Sequence, residues 1–97
     1  MIYTILGKKD IKASRIGFGC WQLGGNLIIE KNPHGYGKIN ENKAIEAIHY
    51  SIDNGVNFFD TADAYGLGKS EIILSKALKG KRNKVVICTK GGKFSDG

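Results

Sequence analysis

Three residues of this chain could together carry out acid–base chemistry. Asp60 ends the apolar run VNFFD, Tyr65 follows five positions later, and Lys90 comes directly after a second apolar run, VVICT. A lysine ammonium beside a buried tyrosine hydroxyl favours the phenolate, so the tyrosine pKa would fall from about 10 toward the range of a general acid. Asp60 would hold Lys90 charged and oriented. Such a trio could give a proton to a carbonyl oxygen, although a hydride would have to come from a reduced cofactor.

The same residues also fit a purely structural interpretation. Asp60 and Lys90 could form an ion pair at the rim of a sheet, with Tyr65 packed beside it. Side chains alternate along a strand and neighbouring strands lie about 4.8 Å apart, so Asp60 and Lys90 can reach each other if their faces coincide. The spacing alone leaves both interpretations open.

The stretch GLGKS invites a third interpretation, as the end of a phosphate-binding loop. In that motif the first glycine would stand at position 63, where this chain has Asp63, and a carboxylate there would repel a nucleotide phosphate. A turn through Gly66 and Gly68 followed by a helix with Ser70 as its cap explains the same residues. The sequence therefore favours the start of a helix.

Alternating strand and helix patterns would bring these residues to one rim. Three short apolar runs predict buried strands: 15–21, 56–60 and 85–89. The first predicted helix has Asn40 as its cap and ends at Gly55, and the second runs from Ser70 to Gly80. This order predicts an α/β fold whose parallel strands end at one edge, where active sites of such sheets lie.

Two further segments accompany this pattern. Residues 2–14 predict a small β-hairpin before the first strand, and residues 22–39 predict a long connection in which function or mobility is expected. Three parallel strands with two helices leave open sheet edges and uncovered strand faces. We therefore expect an unfinished core whose open edges could drive self-association.

Composition argues against several classes of protein. Lys and Arg number 15 against 9 Asp and Glu, a net charge of +6, but the positive residues are scattered and their densest run, 79–84, is typical of a solvated loop rather than a nucleic-acid site. Cys20 and Cys88 lie in apolar contexts without metal-ligand spacing, which predicts two buried free thiols and no metal site. No run is long and apolar enough to span a membrane, so a cytoplasmic protein without nucleic-acid or membrane partners is expected.

The chain resembles the opening third of an aldo-keto reductase in three segments: IGFGCWQLGG, GVNFFDTADAYGLGKSEIILSKAL and KVVICTK. The resemblance implies a (β/α)8 TIM barrel, of which this chain would hold the hairpin plug, the first three strands and two helices. It also implies reduction of a small aldehyde or ketone with NADPH or NADH. By motif position, Asp60, Tyr65 and Lys90 match the catalytic aspartate, proton-donor tyrosine and lysine of that family.

The resemblance also implies a cofactor contact at the end of the first strand. Gly19, Cys20 and Trp21, together with Asp60, match positions that approach the nicotinamide ribose. Many members carry Thr or a similar small residue where Cys20 stands, which puts that one side-chain contact in doubt.

The family's catalytic histidine follows a fourth strand, which is not in this sequence. His34 in the long connection and His49 on the first helix are not placed to replace it, and both are expected at the surface or its boundary. We expect residues 1–97 to be the N-terminal portion of an NAD(P)H-dependent carbonyl reductase, inactive and weak in cofactor binding by itself. The alternative is a non-catalytic binding or assembly module derived from such a barrel.

Overall fold

A three-stranded parallel sheet lies at the centre of the structure. The computed structural model describes residues 1–29, 32–35 and 37–92, with side chains described for 1–25 and 37–92. The helices are α1 (Glu41–Asp53) and α2 (Lys69–Ala77), and short 3-10 helices lie at Trp21–Gly24 and Arg82–Lys84. The strands are β1 (Tyr3–Leu6), β2 (Ile11–Ser14), β3 (Phe18–Gly19), β4 (Asn26–Ile29), β5 (Asn32–Gly35), β6 (Phe58–Asp60) and β7 (Val86–Cys88).

The strand order confirms the predicted α/β fold. β6 lies between β3 and β7, and both neighbours run parallel to it. In this register Gly19 and Cys88 lie on either side of Asp60. β6 is shorter than the predicted 56–60, because the Val56 N–H donates to the Ser51 carbonyl at 3.0 Å and so closes the end of α1.

α1 begins and ends as predicted. The Asn40 side chain accepts a hydrogen bond of 3.1 Å from the Lys43 N–H, and Gly55 takes a left-handed φ of 96° beyond the helix. The inward face buries Ala44 and Ile48 in the main apolar core. Neither α1 nor any other helix among the described residues has the length and apolar character that crossing a membrane requires.

The prediction that Ser70 caps α2 is wrong. The helix begins at Lys69, its N-cap is Gly68 with a φ of 99°, and no side chain caps it. Ser70 lies inside the first turn, fully buried, and its hydroxyl donates to the Cys20 carbonyl at 2.8 Å. A buried hydroxyl needs a partner, and here the end of the β3 segment supplies one in place of the helix's own N–H groups.

One face of the sheet is uncovered, as predicted, whereas the prediction that Cys88 is buried is wrong. Phe59 is fully buried on the face of β6 that meets the helices, whereas Phe58 and Asp60 on the opposite face are half-buried. Cys88 lies beside Asp60 in register and is exposed on that opposite face. This face is exposed because, among the described residues, the N-terminal hairpin lies across an open cavity from it.

β1 and β2 form the predicted antiparallel hairpin, and Asn57 fastens it to the sheet. The Asn57 Oδ1 accepts from the Ser14 N–H at 2.6 Å, and its own N–H donates to the Ser14 hydroxyl at 3.0 Å. The Asn57 Nδ2 donates to the Lys12 carbonyl at 2.9 Å. Because Asn57 directly precedes β6, the hairpin is held at the opposite end of that strand from Asp60.

The connection predicted at 22–39 contains regular structure beyond the predicted loop. The Trp21–Gly24 3-10 helix overlaps its start, and β4 pairs antiparallel with β5, with Asn26 opposite Gly35. Glycine and asparagine indicated a loop, but the same residues also suit the tight turns of hairpins. His34 lies on β5, and its side chain is outside the described residues.

The backbone of the first 3-10 helix touches the loop before α2 at two glycines. A Cβ on Gly24 would lie 2.6 Å from the Gly66 nitrogen and 2.8 Å from the Tyr65 carbonyl carbon. Gly66 itself has a φ of 63°. Only glycine permits so close an approach of two backbones, and the contact fixes where the chain turns after Tyr65.

Gly24→Ala is expected to lower the free energy of unfolding by roughly 1–3 kcal/mol, the usual cost of extra atoms in a packed site. Gly19→Ala is the matched control, because a Cβ on Gly19 would meet no atom within 4 Å. Urea denaturation followed by circular dichroism measures both variants. Equal losses of stability in the two would contradict the close backbone contact.

Candidate active site

The structure brings together the three residues predicted to do acid–base chemistry. The Lys90 Nζ lies 2.6 Å from the Asp60 Oδ1 and 3.5 Å from the Tyr65 Oη. Asp60 lies beside Cys88 in register, and Lys90 follows Cys88 by two positions, so the two charged side chains share one face. All three residues lie at or just beyond the carboxyl ends of β6 and β7.

The Lys90 ammonium has an oxygen acceptor for each of its three N–H groups. Besides Asp60 and Tyr65, it donates to the Thr61 carbonyl at 2.9 Å. The hydrogen bond to Asp60 raises the pKa of Lys90 above its ordinary value of 10.5, and the hydrogen bond to Tyr65 acts in the same direction. The lysine is therefore held in its charged form at neutral pH.

This cluster is open to solvent, so the expectation of a buried tyrosine and lysine is only partly met. The side chain of Lys90 is 48% exposed and that of Asp60 46%, while Tyr65 is half-buried. The uncovered face of the sheet explains this exposure. Ion pairs in contact with water typically stabilise a fold by about 1 kcal/mol or less, so this pair does little to hold the strands together.

The loop between β6 and α2 positions Tyr65. Its N–H donates to the Ala62 carbonyl at 3.3 Å, and its carbonyl accepts from the Ser70 N–H at 3.2 Å. Its ring stacks on Trp21 with centroids 6.3 Å apart, and the Lys90 Nζ lies 5.2 Å from the centre of the phenol ring. The phenol ring therefore lies close to both an indole and an ammonium.

The residues predicted to approach a nicotinamide ribose lie next to this trio, at and after the end of β3. Gly19 lies beside Asp60 in register, and a Cβ on Gly19 would meet no atom within 4 Å, so this stretch of backbone is uncovered. Trp21 is 44% exposed, whereas Cys20 is 1% exposed. The Cys20 thiol therefore lies beneath the surface that its neighbours Gly19 and Trp21 form.

Two buried hydroxyls beneath the site were not recognised from the sequence as part of it. The Thr61 Oγ1 and Ser70 Oγ lie 2.8 Å apart, and Ser70 Oγ also donates to the Cys20 carbonyl at 2.8 Å. Ser70 was predicted as a helix cap, and no role was predicted for Thr61. The sequence feature that could have indicated this pair is the occurrence of two hydroxyl residues where a buried strand ends and the next helix begins.

Burial raises the pKa of the Cys20 thiol to about 12, and the Asp60 charge acts in the same direction. A buried neutral thiol of this kind is chemically inert.

His49 is half-buried at the boundary between the helices, as predicted, with its Nε2 2.7 Å from the Ala77 carbonyl. A carbonyl can only accept, so this Nε2 carries the proton.

A family model described as "Aldo/keto reductase family" matches residues 15–97. Among curated proteins, "Aldo-keto reductase YhdN" of Bacillus subtilis is 42% identical over 92 residues, which make up 93% of this chain and 25% of that protein. "Pyridoxal reductase, chloroplastic" of Arabidopsis thaliana is 38% identical over 90 residues, which make up 82% of this chain and 23% of that protein.

A solved structure with a similar fold is the holo form of the aldo-keto reductase AKR11C1 from Bacillus halodurans. It superposes with a TM-score of 0.75 and 35% identity, over 95% of this chain and 26% of that one. This chain therefore spans about a quarter of the length of the relatives it matches.

The buried thiol leads to a prediction about alkaline pH. Folding raises the pKa of Cys20 from 9.0 to about 12, so the stability linked to the protonated thiol is complete below pH 9 and is lost as the pH rises toward 12. For each pH unit within that window, the free energy of unfolding should fall by about 1.4 kcal/mol more in the wild-type chain than in Cys20→Ala.

Cys88→Ala is the control for this experiment, because it removes an exposed thiol. Urea titrations between about pH 8 and 11 give the slopes, and Cys88→Ala should follow the wild type. If the free energy of unfolding depended on pH in the same way in Cys20→Ala and Cys88→Ala, folding would not raise the pKa of the Cys20 thiol.

Proposed function

Because the chain belongs to the aldo/keto reductase family, we propose that the whole protein reduces an aldehyde or ketone to an alcohol with NADPH or NADH. The observation that carries this proposal is the position of the Lys90 ammonium, within 2.6 Å of the Asp60 carboxylate and 3.5 Å of the Tyr65 hydroxyl. A relative from Klebsiella pneumoniae, solved in complex with NADPH, supports the choice of cofactor, with a TM-score of 0.72 and 26% identity over 94% of this chain.

Tyr65 is the proton donor in this proposal. As the carbonyl carbon is reduced, its oxygen gains negative charge, and the Tyr65 Oη transfers its proton to that oxygen to give the alcohol. The Lys90 ammonium stabilises the phenolate that remains. Asp60 accepts a hydrogen bond from Lys90 and so keeps the ammonium charged and in place.

The exposure of the ion pair favours this proposal over a structural role. A pair that is nearly half exposed on both sides adds little to stability. A purely structural pair would also have no need of a phenol at the third N–H of the lysine. Proton donation accounts for both features.

The end of β3 suits a nicotinamide nucleotide in three respects. The flank of Gly19 is uncovered, the Trp21 ring is partly exposed, and Asp60 offers a half-exposed carboxylate that can accept hydrogen bonds from ribose hydroxyls. We assign the ribose contact to Gly19, Trp21 and Asp60, with Cys20 supporting this surface from below. When bound, the nicotinamide supplies the hydride that these side chains cannot.

In the whole protein, Tyr65→Phe is expected to lower kcat for reduction of an aldehyde such as benzaldehyde by roughly 10²- to 10⁴-fold, the usual contribution of a general acid. The affinity for NADPH should stay nearly unchanged, because only the hydroxyl is lost. Steady-state kinetics and a fluorescence titration with NADPH give the two quantities. Tyr50→Phe is the matched control, since Tyr50 is 71% exposed on α1. Full turnover in Tyr65→Phe would refute the assignment.

A second proposed function is assembly through the open edges of the sheet. Within the described residues, β3 and β7 each pair with β6 alone, so each has an unpaired edge. Ile16, which precedes β3, is 66% exposed, and Ile2 and Ile5 in the N-terminal segment are 65% and 53% exposed. A second copy of the chain could cover both the edge and these apolar side chains.

Assembly predicts that the chain of residues 1–97 elutes earlier in size-exclusion chromatography as its concentration rises. Ile16→Lys should weaken this shift, because it places a charge beside the open edge of β3. Ile72→Lys is the control, since Ile72 is an exposed residue of α2. Elution as a monomer at every concentration would remove this second function without affecting the catalytic proposal.

A further inference from the structure

The structure assigns to Ser70 a role outside the three residues of the proposed mechanism. We infer that Ser70 is a positioning residue that, through the Thr61 hydroxyl, fixes the Lys90 ammonium relative to the Tyr65 hydroxyl. Ser70 is fully buried on α2. The inference rests on the proposed function in one respect only, since its consequence for catalysis requires that this trio reduce carbonyls.

The protons of the two buried hydroxyls have a single arrangement. The Ser70 Oγ lies 2.8 Å from the Cys20 carbonyl, which can only accept, so the proton of Ser70 is used there. The Thr61 Oγ1, 2.8 Å away, must therefore donate to the Ser70 Oγ. This relay, from Thr61 through Ser70 to the Cys20 carbonyl, joins the ends of two strands to the first turn of α2.

Thr61 connects the relay to the lysine. Its carbonyl accepts from the Lys90 Nζ at 2.9 Å, and its N–H donates to the Cys88 carbonyl at 2.8 Å. Thr61 is 1% exposed, so its backbone is fixed between β7 and the relay. The Asp60 side chain is half-exposed, whereas the Thr61 backbone is buried and hydrogen-bonded to the neighbouring strand.

Geometry then directs the remaining N–H of the lysine. An ammonium has three N–H groups in a tetrahedral arrangement. Once two of them point at the Asp60 carboxylate and the Thr61 carbonyl, the direction of the third is set, and the Tyr65 Oη lies 3.5 Å from the same nitrogen. The position of the Thr61 carbonyl therefore decides how well the ammonium meets the phenol.

Ser70 holds the phenol side of this contact as well. Its N–H donates to the Tyr65 carbonyl at 3.2 Å, while its hydroxyl takes part in the relay. One residue is thus bonded both to the residue that carries the phenol and to the residue that supplies an acceptor for the lysine. Helix capping does not explain the hydroxyl, because the N-cap of α2 is Gly68.

The test is competitive acetylation of the 97-residue chain with trace acetic anhydride, followed by peptide mass spectrometry. Only the unprotonated amine reacts, so a lower pKa of Lys90 gives a faster reaction. The acetylation rate at Lys90 is divided by the rate at the exposed Lys79 of the same molecule. Ser70→Ala should raise this relative rate by roughly threefold, because a displaced Thr61 carbonyl stabilises the ammonium less and so lowers the pKa of Lys90.

Three further variants make the result specific. Ser75→Ala removes a hydroxyl from the same helix, one that donates to the Ile72 carbonyl at 2.7 Å in an exposed position, and should leave the rate at Lys90 unchanged. Thr61→Val, which has nearly the same shape without the hydroxyl, should raise the rate, and Thr61→Ser should restore the wild-type rate.

Asp60→Asn is the positive control, because it removes the carboxylate whose hydrogen bond is the largest cause of the raised pKa of Lys90. A rate in Ser70→Ala equal to that in Ser75→Ala, while Asp60→Asn raises it, would overturn the inference. Equal rates in Thr61→Val and Thr61→Ser would also overturn it.

Loss of the fold by circular dichroism in both Ser70→Ala and Thr61→Val would overturn the inference too, since the relay would then be a folding element rather than a positioning one. The assay involves no turnover, so its outcome is independent of the proposed function. In the whole protein, a lower kcat with unchanged KM in Ser70→Ala would link the relay to catalysis.

Discussion

The parallel register of β6 and β7, which lets the Lys90 ammonium donate a hydrogen bond to the Asp60 carboxylate, is the constraint on which the arrangement of this site depends. Both partners are nearly half exposed, and water weakens such a pair until it stabilises the fold very little. The ion pair therefore does not hold the strands in place. Instead, the parallel register that sets Asp60 beside Cys88 brings Lys90 within reach, and the geometry of the pair is a consequence of the sheet.

The buried groups beneath this open pair supply the rigidity that the pair lacks. Thr61 and Ser70 are fully buried and hydrogen-bonded to each other, and the Ser70 hydroxyl also reaches the Cys20 carbonyl. Gly24 and Gly66 bring two backbones into direct contact just after the tyrosine of the site. The exposed side chains of the site therefore lie on a buried layer that is hydrogen-bonded and closely packed.

Much of this arrangement could be predicted from the sequence, because it depends on periodicity. Alternation along parallel strands was enough to place Asp60 near Lys90, and apolar spacing with Asn40 as a cap was enough for α1. The exposure of Cys88 could not be predicted, because it depends on which face of the sheet the rest of the molecule covers. The partner of Ser70 could not be predicted either, since a serine near a helix start fits a cap and a tertiary hydrogen bond equally well.

The likeness of GLGKS to a phosphate-binding loop has a physical explanation that requires no phosphate. Gly66 is needed for the contact with Gly24, and Gly68 adopts the left-handed conformation that starts α2. Ser70 is needed for a hydroxyl that points back toward the end of β3 rather than toward a ligand. Residues 58–70 therefore carry Asp60 and Tyr65 at the surface and, on their buried side, the Thr61 and Ser70 hydroxyls that lie beneath them.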